Sequence, residues 1–267
     1  MTVRSWFGQV LLRAPEPLRR LRNAPVIGEI IHRCSYRLIP SHEKVWTQVE
    51  SGPAEGIWLR LNPRTGQSYR SGEGEMATQK ILAKRLRPGM IFYDLGANIG
   101  FFSLLGARLV GEEGKVFSFE PDATSAMRLR QNAEKNRFRN IAVQEAGVWS
   151  SSGMIHFAVA DSASPDHGTG RFIPGGGAQL TRCVSVDDFA CTAQPPDAVK
   201  CDVEGAEVEV LRGARHVRAA RKPWILCETH SPEADRDSRA ILNELDYRIE
   251  TVDALHFFAE PRVRKEV

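Results

Sequence analysis

The sequence lacks the markers of several protein classes. No stretch reaches the roughly 18 consecutive apolar residues that a membrane-spanning helix needs, and the first 20 residues lack the apolar core and cleavage site of a signal peptide. The 36 Lys and Arg residues nearly balance 33 Asp and Glu, so no overall charge favours nucleic acid. We therefore expect a cytoplasmic protein with no transmembrane segment and no nucleic-acid partner.

Cysteine is scarce and shows no pairing pattern. The five cysteines are odd in number and none is spaced C-x-x-C, so neither a disulfide framework nor a zinc site is indicated: Cys34, Cys183, Cys191, Cys201 and Cys227. Hydrophobic residues, by contrast, make up 42% of the 267 residues. That content is enough for the core of one large α/β domain with an extension.

The first part of the chain is basic. Residues 1–42 hold seven Arg against two Glu before Ser41. This segment fits an amphipathic helix on a membrane surface or a partner, or a helical cap packed on the domain with solvated charges. Hairpin signals follow at Gly52-Pro53, Gly56 and Gly66. We therefore assign residues 1–72 to a helical and β-hairpin extension and residues 73–267 to the catalytic domain.

Strand and helix patterns alternate in the rest of the chain. A helix from about residue 75 to 86 ends before Pro88-Gly89. The pattern then predicts a doubly wound, mostly parallel sheet, with strands near 91–95, 115–120, 141–145, 198–203 and 223–229 and helices near 99–110, 123–136, 206–213 and 235–245. Two more strands, near 154–159 and 182–187, flank residues 161–179, which we interpret as either a substrate lid or a mobile loop.

One strand–turn–helix–strand segment indicates the cofactor. Residues 92–102 read FYDLGANIGFF and residues 116–121 read VFSFEP. A dinucleotide fingerprint needs glycines where this chain has Asn98 and Phe101, and Asp94 would repel a pyrophosphate. Glu120 lies where a carboxylate accepts both ribose hydroxyls. S-adenosylmethionine, which has no phosphate and carries a cationic sulfonium, fits this pocket best.

A second cluster of polar residues follows two later strands. VKCDVEGAE contains Lys200, Asp202, Glu204 and Glu207, and ILCETH contains Glu228 and His230. We expect these side chains at the carboxyl ends of parallel strands, where open α/β sheets bind ligands. Structural alternatives are an ion pair between Lys200 and Glu228 and helix capping by Glu204 and Glu207. Asp202, Glu228 and His230 are also the ingredients of a metal site, but the set is small and generic, and we expect no metal.

Together these segments resemble the FkbM family of S-adenosylmethionine-dependent methyltransferases. The resemblance runs from about residue 72 to 230 and rests on SGEGE with Glu75, DLGANIG at 94–100, FEPD at 119–122, Asn132, KCDVEGAEVEVLRGA at 200–214 and ETH at 228–230. It implies a class I methyltransferase (Rossmann-like) fold, with seven strands of which the last is antiparallel. It also implies O-methylation of sugars or polyketide-type natural products.

The same resemblance implies roles for individual residues. It places Asp94, Gly96, Asn98 and Gly100 along the methionine part of the cofactor, Glu120 at the ribose, Glu145 and Ala146 at the adenine, and Glu75 over the bound cofactor; Pro121 is also assigned to cofactor binding. Residues 145–153, EAGVWSSSG, depart from the commoner family pattern.

The mechanism we expect is direct methyl transfer to an alcohol oxygen. His230 is the first choice for the base because its ordinary pKa is near 6.5, with Asp202 orienting it; Asp202 as the base is the alternative. Lys200, Glu204 and Glu228 would bind the acceptor, a small molecule or glycan. Rival functions are a non-catalytic S-adenosylmethionine-binding module, a metal-assisted O-methyltransferase and a nicotinamide-dependent dehydrogenase. The sequence indicates neither the acceptor's identity nor the oligomeric state.

Overall fold

The computed structural model describes residues 44–62, 65–158, 171–172 and 179–262. These residues form two compact units, the first ending at Met76 and the second beginning at Ala77. The predicted basic segment 1–42 lies outside the described residues. The division after residue 72 stays a prediction.

The first unit contains the predicted hairpin. Strands β1 (Val45–Gln48) and β2 (Trp58–Leu61) pair in antiparallel register. A short helix, α1 (Gln67–Ser71), follows and was not predicted. Its sequence QSYRS has no apolar periodicity. The buried Arg70 of this helix forms a 2.7 Å ion pair with Glu50, which lies just after β1.

The second unit alternates strands and helices as the sequence predicted. Its elements, with the first residue of the first helix belonging to the other unit, are α2 (Met76–Arg85), β3 (Ile91–Leu95), α3 (Phe101–Val110), β4 (Lys115–Phe119), α4 (Ala123–Lys135), β5 (Ile141–Gln144), β6 (Gly147–Val148), β7 (Gly153–Ala158), β8 (Arg171–Phe172), β9 (Gln179–Val184), α5 (Val186–Ala190), β10 (Ala198–Cys201), α6 (Glu207–Arg212), α7 (Arg215–Ala220), β11 (Trp224–Glu228), α8 (Pro232–Asn243), β12 (Tyr247–Thr251) and β13 (His256–Pro261).

Seven of these strands form the main sheet. Their order is β12-β13-β11-β10-β3-β4-β5. The five strands from β11 to β5 are parallel, whereas β13 is antiparallel to both of its neighbours. This arrangement confirms the predicted class I methyltransferase fold, including the antiparallel last strand.

The two faces of the sheet differ in chemistry. Tyr93 and Cys201 point into the main hydrophobic core. Since side chains alternate along a strand, their neighbours Asp94 and Lys200 point to the other face, where the register sets them side by side. Charged groups are thereby carried to one face of the sheet at its carboxyl end.

The second unit also contains elements that the sequence did not predict, among them α7 and β8. The predicted helix 206–213 is α6, and a helix that was not predicted, α7, follows after Gly213, where a Cβ would come within 2.3 Å of the Trp149 carbonyl oxygen. The predicted loop 161–179 contains β8, which joins β6, β9 and β7 in a four-stranded sheet. In the described part of the chain, every helix is too short or too polar to cross a membrane.

Candidate active site

The turn after β3 has a backbone that requires glycine. Gly96 has φ 78°, and a Cβ there would lie 1.6 Å from the carbonyl oxygen of Asp202. Gly100 has φ 88°, and its Cβ would lie 2.5 Å from Leu129 Cγ on α4. The turn therefore packs directly against the end of β10, which joins the two motifs found in the sequence.

Glu120 lies at the end of β4 with both carboxylate oxygens held by backbone. Asn98 donates its N–H to Oε2 over 2.7 Å, and Asp122 donates to Oε1 over 2.9 Å. Burial raises the pKa of Glu120 to about 7. A carboxylate oxygen accepts more than one hydrogen bond, so both oxygens keep capacity for a ligand hydroxyl.

Asn98 supplies an unused acceptor beside Glu120. Its backbone is left-handed, with φ 49°, a conformation that asparagine tolerates better than most residues. Its side-chain oxygen is buried, and within the described residues it accepts no hydrogen bond. A buried acceptor without a donor costs free energy unless a ligand satisfies it. The turn and Glu120 thus fit the polar groups of S-adenosylmethionine.

Asp94 has no exposed surface. It accepts a 2.5 Å hydrogen bond from the Ser103 hydroxyl, and Lys200 Nζ lies 3.8 Å from its other oxygen. Burial raises the pKa of Asp94, while Lys200 opposes that shift. Its predicted contact with the cofactor stays a prediction, since the structure shows Asp94 bound to the protein's own groups.

The other residues assigned to the cofactor lie in different settings: Glu75, Pro121, Glu145 and Ala146. Glu75 belongs to the first unit and accepts a 3.4 Å hydrogen bond from the Tyr69 hydroxyl. Pro121 is partly exposed beside Glu120, and Ala146 is buried. Glu145 is exposed and lies 3.0 Å from Arg130. Their roles remain predictions.

Lys200 is buried between two carboxylates. Its Nζ lies 3.0 Å from Asp202 Oδ2 in addition to its contact with Asp94. The residue across from Lys200 on β11 is Leu226. The structure therefore pairs Lys200 with Asp94 and Asp202 and not, as the structural alternative supposed, with Glu228 across the strands.

His230 follows β11 and meets Glu207 at one ring nitrogen. Nδ1 lies 2.7 Å from Oε1 of Glu207, whose side chain is fully buried. The same oxygen accepts the N–H of Gly205 over 2.8 Å. Glu207 thus binds the backbone just before α6 and orients the imidazole; the N-cap residue of this helix is Ala206, and among the described residues α6 has no side-chain cap hydrogen bond.

The other nitrogen of His230 faces three further carboxylates. Nε2 lies 3.3 Å from Glu204 Oε2, 3.7 Å from Glu228 Oε1 and 3.8 Å from Asp202 Oδ1. The predicted catalytic and acceptor-binding residues at the ends of β10 and β11 therefore lie together. The His230 side chain is 24% exposed, so its ring remains reachable from solvent.

The carboxylates change the expected titration of His230. The hydrogen bond to Glu207 raises its pKa, and although burial lowers it, the result is about 9. The ordinary value near 6.5 therefore does not apply to His230 in the folded protein, and the sequence does not show how many carboxylates face the ring. His230 is an imidazolium at neutral pH. Burial also raises the pKa of Glu204.

Sequence reasoning included Glu207 in this cluster but gave it no catalytic or binding role, and it missed His256 entirely. His256, at the start of β13, lies across from Glu228, with its Nε2 3.1 Å from Glu228 Oε2. No motif marked His256, because its position depends on the antiparallel pairing of β13.

Asp202, Glu228 and His230 can also be considered as metal ligands. Each offers one ligand atom, and the three atoms lie within 4.8 Å of one another. Nitrogen and oxygen donors of this kind suit several divalent cations. The expectation of no metal stays an expectation.

Comparisons with known proteins show the family of the chain. The model of the methyltransferase FkbM domain matches residues 94–249, more than half of the chain. The hexuronic acid methyltransferase AglP of Haloferax volcanii is 28% identical over 223 residues, which cover 83% of this chain and 81% of that protein. A probable cobalt-precorrin-6B C(15)-methyltransferase of Sulfolobus acidocaldarius is 38% identical over 71 residues, covering 27% of this chain and 37% of that one.

Solved structures include similar methyltransferases. The methyltransferase FkbM of Methylobacillus flagellatus matches with a TM-score of 0.48 and 21% identity over 72% of this chain, which spans 46% of that one. An O-methyltransferase of Thermotoga maritima matches with a TM-score of 0.45 and 15% identity, over 73% of this chain and 67% of that one. By the family model and the fold described above, the chain belongs to the FkbM methyltransferase family and is an S-adenosylmethionine-dependent methyltransferase.

Proposed function

We propose that the protein methylates a hydroxyl oxygen of a sugar, glycan or polyketide-type acceptor, with His230 and Asp202 at the reacting hydroxyl. The contact between Glu207 and His230 is the observation that carries this proposal. A buried carboxylate that binds Nδ1 fixes the ring and leaves Nε2 to face the ligand, which is how a general base is held in hydrolase triads.

The proton of the acceptor hydroxyl needs a destination. S-adenosylmethionine, when bound, would supply a methyl group from its sulfonium, so that the new carbon–oxygen bond would replace the carbon–sulfur bond and S-adenosylhomocysteine would leave. In its neutral form, with a proton on Nδ1 shared with Glu207, His230 accepts the hydroxyl proton at Nε2. A cationic ligand nearby disfavours a second positive charge, so cofactor binding should lower the pKa of His230 towards the working pH.

The residues assigned to the cofactor would each contact a different part of S-adenosylmethionine. Glu120 would accept hydrogen bonds from the two ribose hydroxyls, with Pro121 beside it. Gly96, Asn98 and Gly100 would lie along the methionine part, and the remaining assignments, to Asp94, Glu75, Glu145 and Ala146, follow the family resemblance. Two of the groups concerned, the Glu120 carboxylate and the Asn98 side-chain oxygen, retain the acceptor capacity that this role requires.

A hydroxylated, sugar-type acceptor has two lines of support. The relative from Haloferax volcanii is named for its action on a hexuronic acid. The carboxylates of Glu204 and Glu228 at the ends of the strands are acceptors suited to hydroxyl donors. Lys200 is buried beside Asp202 and would act on the acceptor by holding that carboxylate.

Two substitutions test the catalytic assignment. His230→Ala and Asp202→Asn should each lower turnover by about 10²-fold or more, because a general base acts in the transition state. The affinity for S-adenosylhomocysteine, measured by calorimetry, should be nearly unchanged. His216→Ala is the matched control, since His216 is also paired with a carboxylate, Asp187, but is 89% exposed.

Outcomes of the same assay separate the rival functions. If the wild-type protein binds S-adenosylhomocysteine but methylates no hydroxylated acceptor, the non-catalytic module gains support. If both variants keep wild-type turnover, His230 and Asp202 are structural and alignment of the reactants carries catalysis.

Metal-assisted transfer is the second candidate. The observation that favours it is the set Asp202, Glu228 and His230, whose ligand atoms lie within 4.8 Å of one another. Loss of turnover with EDTA and its return with Mg²⁺ would support this candidate. Turnover unaffected by EDTA would contradict it.

A further inference from the structure

Glu228 divides its two carboxylate oxygens between two histidines. Oε1 lies 3.7 Å from His230 Nε2, in the cluster described above. Oε2 lies 3.1 Å from Nε2 of His256, which the β11–β13 register places directly across from Glu228. The orientation of the Glu228 carboxylate is therefore linked to the position of His256.

The far side of His256 is fixed by a carboxylate that the backbone holds. Asp253 Oδ1 lies 2.8 Å from His256 Nδ1. The same oxygen accepts the N–H groups of Leu255 and His256, each over 2.9 Å, in the turn between β12 and β13. His256 is thus held at Nδ1 by a hydrogen bond with Asp253, and its Nε2 lies at ion-pair distance from Glu228.

The charge on His256 suits this position. Burial lowers its pKa, but Glu228 and Asp253 outweigh burial and raise it to about 9. His256 is 8% exposed, so the cation lies in a region of low dielectric beside Glu228. Removing one member of a buried ion pair leaves the other charge uncompensated, so Glu228 is expected to reorient or take up a proton when His256 is lost.

We propose that His256 is a positioning residue for methyl transfer, which holds the Glu228 carboxylate so that Oε1 faces His230 and the acceptor. This inference rests on the proposed function. The alternative is that the ion pair between His256 and Glu228 only stabilises the pairing of β13 with β11. The two roles predict different results. A residue that only stabilises strand pairing affects the free energy of unfolding, whereas a positioning residue affects kcat of the folded enzyme.

The test compares kcat in four variants: His256→Leu, His256→Gln, Glu228→Gln, and the double variant His256→Leu with Glu228→Gln. His256→Leu should lower kcat roughly tenfold to a hundredfold, since small displacements of reacting groups have effects of that size. Affinity for S-adenosylhomocysteine should be unchanged. His256→Gln should restore part of the rate, because its amide can donate to Glu228.

The double variant shows whether His256 acts through Glu228. If it does, the double variant should be no slower than the slower single variant, because the second substitution removes nothing further. If the losses multiply, or if His256→Leu keeps wild-type kcat, the inference is overturned. His216→Leu is the control for loss of a histidine from a carboxylate pair outside this cluster.

A second variant keeps the inference testable if His256→Leu does not fold. Should His256→Leu fail to fold, His256→Asn keeps a donor near the position of Nδ1 and lacks one at Nε2, and it should show the same loss of kcat. A wild-type protein that methylates no acceptor contradicts both the proposed function and this inference. An active wild type with an equally active His256→Asn contradicts the inference alone.

Discussion

The protonation of His230 depends mainly on one neighbour. The hydrogen bond that His230 donates to Glu207 is the largest influence that raises its pKa. Glu207→Gln removes that charge while keeping a hydrogen-bond acceptor, so the pKa of His230 should fall from about 9 towards its ordinary value near 6.5. An NMR titration of the His230 ring measures this shift.

Two results bear on the Glu207 prediction. Glu209→Gln, on the same helix and paired with Arg212, should leave the His230 titration unchanged. A His230 pKa that stays near 9 in Glu207→Gln would show that Asp202, Glu204 and Glu228 control the titration instead.

Glu120 should control cofactor affinity. Each hydrogen bond from a ribose hydroxyl to its carboxylate is worth about 1.5 to 3 kcal/mol, so Glu120→Ala should weaken S-adenosylhomocysteine binding at least about tenfold per bond lost. Calorimetry measures the dissociation constant. Glu113→Ala, at an exposed glutamate in the turn before β4, is the control.

The same residue should make binding depend on pH. Burial raises the pKa of Glu120 to about 7, and the ionised carboxylate is the better acceptor. Affinity should therefore increase as pH rises through about 7 and should lose this dependence in Glu120→Ala. An unchanged dissociation constant in the variant would contradict the ribose assignment.

At the scale of elements, the turn after β3 and the end of β10 depend on one glycine. Gly96→Ala would place a Cβ 1.6 Å from the Asp202 carbonyl oxygen, so backbone must move. Gly89 has a similar φ of 84°, but no atom lies within 4 Å of the place that its Cβ would take. Gly89→Ala is therefore a control for backbone strain alone.

Urea unfolding distinguishes the two glycine variants. Gly89→Ala should cost about 1 to 2 kcal/mol, the usual penalty for a left-handed residue with a Cβ. Gly96→Ala should cost clearly more and should also weaken cofactor binding. Equal losses of stability in the two variants would show that the close approach of Gly96 to the Asp202 carbonyl oxygen adds no cost beyond the backbone conformation.

The sequence predicted the strands and helices that have a clear local pattern of apolar residues. Strands β3, β4, β10 and β11 read as apolar runs that end in charged residues, and the central sheet followed from them. The strands β12 and β13 were not located, because YRIET is half-exposed and β13 joins the main sheet through antiparallel pairing with β11. The short α1 gave no apolar period to detect.

The positions of the main residues of the candidate site were predictable from the sequence. Their pKa values were not. The spacing of Asp202, Glu228 and His230 placed them at neighbouring strand ends. The pKa of His230 was not predictable, since it depends on the distance to Glu207 Oε1. His256 was missed for a related reason: only tertiary pairing brings it to Glu228.

At the scale of the whole molecule, two histidines make stability depend on pH. The pKa values of His230 and His256 are both about 9, above the unfolded value near 6.5. Between these pH values the folded state binds more protons than the unfolded state. The free energy of unfolding should therefore fall as pH rises from about 6.5 to 9.

Urea unfolding at about pH 7 and about pH 9 measures that dependence. The double variant His230→Gln with His256→Gln should lose less stability between the two pH values than the wild type does. An equal loss would mean that other groups, and not this pair of histidines, set the pH dependence.

The most direct test of the account is the pH dependence of kcat/KM for methyl transfer to a hydroxylated acceptor, identified by incorporation of a ¹³C-labelled methyl group. If His230 is the base, the wild-type rate at saturating S-adenosylmethionine should rise with pH through a group whose pKa lies below about 9, because the bound cation lowers the pKa of His230 from its value in the free protein. That rise should be absent in His230→Ala. A rise at lower pH that survives in His230→Ala would contradict the account and assign the proton to Asp202.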